Sequence, residues 1–204
     1  QGEEAERLAV RSLLLALEPA ERERSTLRTA ILNGIERASQ EVARLGTGAA
    51  TTLTVAEIQE DVVRPYHVGD SMLLVVGQRG RIKHQSVAHS PVGFAFESGL
   101  LGEREALRHE DRHLVSNVLG ARDMRIEIGP TLYLAPRDTL LLASDGLGDN
   151  LLLREIAERM RRGPLVGCAE RLVSDARRRM TQPAAAKAGR TAAASRAPGR
   201  TQDS

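Results

Sequence analysis

Three aspartates stand where the backbone changes direction. Asp70 sits in Gly69-Asp70-Ser71, at the junction of two predicted strands over 62–68 and 72–77. Asp145 and Asp149 belong to Ser144-Asp145-Gly146-Leu147-Gly148-Asp149, directly after the continuous apolar run 140–143. A strand that ends in an acid, before a glycine turn and a helix, is a common place for a metal or phosphate site. Oxygen-only ligand sets favour hard cations such as Mg²⁺ or Mn²⁺. Bound beside a phosphate, such cations polarise the phosphoryl oxygens and generate hydroxide at neutral pH. Asp-Gly is also ordinary turn chemistry, and the stretch alone leaves site and turn evenly balanced.

A second string is His109-Glu110-Asp111-Arg112-His113, a literal H-E-x-x-H. On a helix this spacing puts two imidazoles on one face for zinc, with the glutamate as general base. Its surroundings argue for a solvated helix face instead. At 100° per residue the two histidines lie nearly opposite the apolar positions Leu107 and Leu114, and Arg108 and Arg112 add positive charge beside the would-be cation. A third ligand is not evident, so a zinc protease is the minor alternative. Gly46-Thr47-Gly48 lacks the Gly-Lys-Ser/Thr ending of a phosphate loop and precedes a strand rather than a helix.

The elements that must position these groups follow from periodicity. Residues 3–17 and a longer stretch ending near Leu45 carry apolar residues at three- and four-residue steps, which predicts two helices interrupted at Glu18-Pro19. Residues 51–58, 62–68, 72–77 and 82–85 predict an antiparallel meander. Residues 90–117 are less regular, with a helix expected over 103–112. A second meander is predicted over 124–128, 132–135 and 139–143, the last strand covered on both faces because it has no polar side. Two further helices follow, one marked by Leu152, Ile156 and Met160 and one by Leu165, Cys168, Leu172 and Ala176. The fold class is therefore α+β, a four-layer α-β-β-α sandwich of two antiparallel sheets, each flanked by a helix pair.

Composition narrows the function. The 204 residues suit one domain, with 41% hydrophobic and 27% charged residues. Aromatics are limited to Tyr66, Phe94, Phe96 and Tyr133, too few for base-stacking nucleic-acid recognition. No apolar run approaches a membrane span, and no signal peptide is evident. Cys168 is alone, which excludes a disulfide framework and points to a reducing, cytoplasmic setting, with the thiol as a small core group. Seven of the 29 Lys/Arg and one of the 27 acids lie from Ala176 onward, so the body is mildly acidic and suits cations better than polyanions. Residues 182–204 are expected to be a disordered basic tail, apart from a domain over 1–181.

Taken together, the motifs resemble the metal-dependent protein Ser/Thr phosphatases of the PPM type. Ser144-Asp145-Gly146-Leu147-Gly148-Asp149 is similar to that family's Ser-Asp-Gly-x-x-Asp motif, and His67-Val68-Gly69-Asp70-Ser71 to its Val-Gly-Asp-Ser hairpin. Gly48 with Thr51-Thr52-Leu53 resembles its Gly-Thr-Thr strand entry. Asn117-Val118-Leu119-Gly120 sits where the family has x-Ala-Leu-Gly after a mobile flap, and Gly2-Glu3-Glu4-Ala5 matches the opening of its first long helix. The resemblance implies Asp145 as a ligand of a dinuclear Mn²⁺ or Mg²⁺ centre, and Asp70 and Asp149 as ligands of a third ion. It also implies a phosphoserine or phosphothreonine protein substrate, attack by a metal-activated hydroxide, and an opposing Ser/Thr kinase.

The departures shape a further expectation. The family's bridging Asp-Gly pair belongs just before Gly2, and its late acid-x-x-Thr ligand strand is replaced by Arg177-Arg178-Arg179-Met180-Thr181 and the Ala/Arg tail. The chain reads as cut from something longer, a partial domain inactive alone with no catalytic residue assigned. The alternative is a non-catalytic pseudophosphatase that binds a phosphoprotein.

Overall fold

The computed structural model describes residues 2–18, 27–46 and 48–181; the expectations at Gln1, Pro19, Thr47 and the 182–204 tail lie outside the described residues. Helix α1 (Gly2–Leu17) and helix α2 (Leu27–Arg44) form the first layer. Their buried stripes, Ala5, Ala9 and Leu13 against Ile31, Ile35, Ala38 and Val42, recur at three- and four-residue steps. Each fully buried Ile, Leu or Val side chain among them contributes roughly 1.5–3 kcal/mol, and the alanines less.

Strands β1 (Leu53–Gln59) and β2 (Val62–Val68) form a hairpin in the register Leu53↔Val68. Then β3 (Met72–Val76) and β4 (Ile82–Gln85) follow, and after the irregular segment come β5 (Glu127–Ile128), β6 (Leu132–Tyr133) and β7 (Thr139–Ala143). One sheet contains β1, β2, β5 and β6, and the other runs β4-β3-β7, all pairings being antiparallel. Val63, Leu73 and Val75 fill the space between the sheets with Ala56, Leu132, Leu134 and Leu140 packed around them. Tyr66 and Val68 face α1 and α2. On the far side, Met72, Leu74 and Val76 pack on Ile156, Met160 and Leu172 of α6 (Leu153–Met160) and α7 (Leu165–Met180). This is the expected α-β-β-α order, and Cys168 is buried within that last cluster.

Several local expectations are corrected. Neither meander forms one sheet: β2 and β3 belong to different sheets, so Gly69-Asp70-Ser71 is a crossing between sheets and not a hairpin turn. Among the described residues strand β7 pairs only with β3 and lies at an edge, and its Leu142 is 48% exposed, so the strand is not covered on both faces. The central place in that sheet belongs to β3, whose five residues are all buried. An apolar run identifies a strand but not its neighbours, which depend on pairings distant in sequence. The strands expected over 124–128 and 132–135 shrink to two residues each. In the irregular segment a helix α3 (Pro91–Glu97) is present, capped by Ser90 Oγ accepting from Gly93 N–H with Pro91 in the first turn.

Candidate functional site

The helix after β7 sets the spacing of two carboxylates. Helix α5 (Asp145–Gly148) is a single turn, with Asp149 as its C-cap, donating its N–H to Asp145 O at 2.8 Å. Four residues apart on one turn, Asp145 and Asp149 share a face. Asp145 Oδ1 accepts from Gly146 N–H at 2.7 Å, which orients the carboxylate locally. The turn is anchored from behind. Arg179, at the end of α7, donates to Asn150 O at 2.9 Å and to both oxygens of Glu155 at 2.7 and 2.6 Å. That pairing holds the Glu155 carboxyl below its ordinary range.

Asp70 is placed by the crossing between the sheets. Gly69 has φ +107, and a Cβ there would lie 2.3 Å from Thr52 Cγ2, so only glycine lets the chain pass so close to β1. Ser71 is tied to the same strand entry, with its Oγ 2.7 Å from Thr52 Oγ1 and its carbonyl accepting from Thr54 Oγ1 at 3.1 Å. Thr51 in turn forms a β-bridge with Leu119. Three motifs scattered through the sequence, at 51–52, 69–71 and 117–119, therefore meet at one end of the sandwich.

Asp70, Asp145 and Asp149 line one cavity of about 130 Å³, whose lining also includes Phe96, Leu107 and Arg112 of the 86–116 segment. Burial raises the Asp70 carboxyl above its ordinary value, and the charge of Asp145 raises it further. Burial, Asp145 and Asp70 likewise raise Asp149, while Arg112 and His113 pull it down. Crowded, partly desolvated carboxylates whose charges oppose one another are stabilised by a cation placed among them. The donor set is all oxygen, which suits a hard divalent ion. Among the described residues, no three His, Cys, Asp or Glu side chains stand close enough to hold an ion as they are.

The H-E-x-x-H string lacks the geometry of a zinc site. The expected 103–112 helix stops as α4 (Glu103–Ala106), and Glu110–His113 is a separate 3-10 turn capped by His109, whose Nδ1 accepts from Asp111 N–H. The i, i+4 relation on an α-helix face is thus lost. His113 reaches toward Asp149 instead, and Glu103 accepts from Leu153 N–H, docking the segment on the start of α6.

Sequence reasoning missed the polar framework around Asp70. Buried His89 accepts at Nδ1 from Gly69 N–H, and its own N–H donates to Gly69 O at 3.0 Å. Its ring stacks on His67 at 4.4 Å. The sequence signal nearby was Ser90-Pro91, a helix start immediately after His89.

Comparison with known proteins agrees with this architecture. The family model described as protein phosphatase 2C matches residues 2–182, and the chain belongs to that family, which confirms the PPM-type resemblance. Protein phosphatase PhpP of Streptococcus pneumoniae is 32% identical over 133 residues, covering 61% of this chain and 52% of PhpP. The chain thus spans about half the length of the curated relatives it matches. The Mycobacterium tuberculosis serine/threonine phosphatase PstP/Ppp superimposes with a TM-score of 0.73 at 22% identity, over 87% of this chain and 78% of that one. A structure of the PstP catalytic domain in complex with two manganese ions gives a TM-score of 0.69 at 21% identity, over 84% and 75% of the two chains.

Proposed function

We propose that this chain carries the acidic edge of a metal-dependent phosphatase centre acting on phosphoserine and phosphothreonine in proteins. The observation that supports it is the meeting of Asp70, Asp145 and Asp149 on one cavity, within a chain of the protein phosphatase 2C family. Asp145 is read as the ligand of the dinuclear centre, and Asp70 and Asp149 as ligands of an accessory ion, Mn²⁺ or Mg²⁺. Such ions, when bound, supply Lewis-acid polarisation of the phosphoryl group. The chain's own part is to hold the carboxylates in place: Gly146 N–H orients Asp145, the one-turn helix spaces Asp149, and the Gly69 crossing presents Asp70. The substrate reading implies an opposing Ser/Thr kinase and a role in signal transduction, in a cytoplasmic setting suited to the lone reduced Cys168.

With no three ligands converged among the described residues, the 204 residues are expected to bind Mn²⁺ weakly and to turn over an aryl phosphate slowly or not at all. Calorimetric titration with Mn²⁺ tests the site: binding lost in Asp145→Asn supports it, and binding unchanged in that variant sinks it. Rapid metal-dependent hydrolysis by the chain would overturn the expected inactivity. The same absence of a converged set favours a second reading, a pseudophosphatase that binds a phosphoprotein without metal. That reading requires partner binding indifferent to Asp145→Asn and to chelator.

A further inference from the structure

His89 is 5% exposed and lies where the sheet crossing, the 86–116 segment and the 117–125 loop come together. Its backbone and side chain grip the same residue from two directions. The N–H of His89 donates to Gly69 O at 3.0 Å, and Gly69 N–H donates to His89 Nδ1 at 3.1 Å. The carbonyl of His89 accepts from Ser116 N–H at 2.8 Å and from Ser116 Oγ at 2.9 Å.

The hydrogen-bond pattern settles the tautomer. Asn117 Oδ1 accepts from Arg125 N–H at 3.0 Å while its Nδ2 donates to Arg125 O at 2.7 Å, which fixes the amide's orientation. The remaining Nδ2 hydrogen points at His89 Nδ1, 2.8 Å away. Nδ1 thus faces two N–H donors and carries no proton. The proton therefore sits on Nε2, which lies 3.4 Å from Glu127 Oε2. Stacking on His67 at 4.4 Å and on Phe94 at 6.4 Å holds the ring in plane. The two donors share the single in-plane lone pair of Nδ1, and removing it leaves both without this acceptor in the interior.

We propose that His89 is the positioning residue for Asp70: its neutral, Nε2-protonated imidazole clamps the Gly69 peptide through Nδ1 and so fixes the direction in which the next side chain enters the cavity. The proposal rests on the reading of Asp70 as a metal-binding carboxylate. Gly69 has no side chain and occupies a region of backbone space open chiefly to glycine, so nothing intrinsic to it stops the crossing from rotating. The clamp supplies that restraint from outside.

The role belongs to one ring atom, which makes it testable with closely related variants. The side-chain oxygen of Asn occupies the place of imidazole Nδ1, whereas that of Gln lies nearer Nε2. In the ¹⁵N-labelled 204-residue chain, amide exchange at Gly69 and Asp70 should speed up about tenfold or more in His89→Leu and His89→Gln, and return to within about threefold of wild type in His89→Asn. Long-range ¹⁵N spectra of the wild type should show Nε2 protonated and Nδ1 bare. Mn²⁺ titration should show the Asp70 amide broadening at about tenfold higher metal in the Leu and Gln variants, with Asn rescuing. If His89→Leu does not fold, the contrast between Asn and Gln carries the test. Equal exchange at Gly69 in Asn and Gln variants, or an Nδ1-protonated ring, overturns the clamp. Absence of any Mn²⁺ effect in the wild type defeats the metal reading of Asp70 alone, and the exchange contrast still decides whether His89 positions it.

Discussion

The imidazole Nδ1 of His113 stands 3.7 Å from Oδ2 of Asp149. The second histidine of the H-E-x-x-H string therefore addresses a carboxylate of the acidic cavity and does not pair with His109 for zinc. Both belong to a 3-10 turn and its cap, where residues four apart do not stack on one face. Zinc measured by mass spectrometry on the purified chain should be well below stoichiometric and unchanged by His113→Ala. One zinc per chain that disappears in that variant would restore the protease reading.

Repulsion among the acids predicts an inverse effect of one substitution. The folded-state values of Asp70 and Asp149 lie above the ordinary 3.8, mainly through burial and then through Asp145. Groups raised in this way favour the folded state most below pH 3.8, and that contribution is lost as pH rises through their folded values. In chelator at neutral pH, Asp145→Asn should raise the melting temperature by ~2–4 °C while abolishing stabilisation by Mn²⁺. A lower melting temperature in chelator would show that Asp145 serves the fold rather than a cation.

The histidines at the sheet junction titrate in the opposite sense. Burial lowers His67, and burial is also the largest cause that lowers His84, both from the ordinary 6.5. Stability from keeping these rings neutral is complete above pH 6.5 and is lost as pH falls through their folded values. Urea midpoints should therefore fall between about pH 7 and about pH 5. His67, whose Nε2 bonds Val87 O at 2.9 Å, should titrate below 6.5 by NMR. A His67 midpoint at or above the free value would refute this.

The crossing between the sheets should tolerate no side chain at its first residue. Gly69→Ala would set a methyl 2.3 Å from Thr52 Cγ2 and hold an L-residue at φ +107. The expected loss is about 3 kcal/mol in equilibrium unfolding. Adding Thr52→Gly, which removes both Cγ2 and the Cβ that would lie 2.5 Å away, should recover part of the steric loss and leave the backbone part, whereas Thr52→Ala should recover little. A loss below about 1 kcal/mol would mean that the crossing relaxes freely.

Much of this molecule was legible beforehand because its signals are local. Ala5, Ala9 and Leu13 repeat at helical steps, and residues 51–58 are rich in β-branched side chains, whatever the rest of the chain does. The three aspartates announced themselves as acids at strand ends beside glycine. The expected 103–112 helix ends at Ala106 although Arg108 and His109 continue a helical composition, and the segment instead contacts the start of α6 through Glu103 and Asp149 through His113. Helix α3 was missed although Ser90-Pro91 is a sound start signal, since only seven residues follow before Ser98 ends it.

The sequence by itself determined the long helices, the strands of the first half, the layer order and the choice of the three acids, because hydrophobic period and turn chemistry are properties of neighbouring residues. Tertiary structure alone decided that β2 and β3 part into different sheets, that β7 lies at an edge, and that Asp70 joins Asp145 and Asp149 on one cavity. It also decided that His89, with no motif around it beyond a helix start, holds the Gly69 peptide beside Asp70. Those outcomes depend on pairings between residues tens of positions apart, whose cost and reward are settled only when the sheets close on each other.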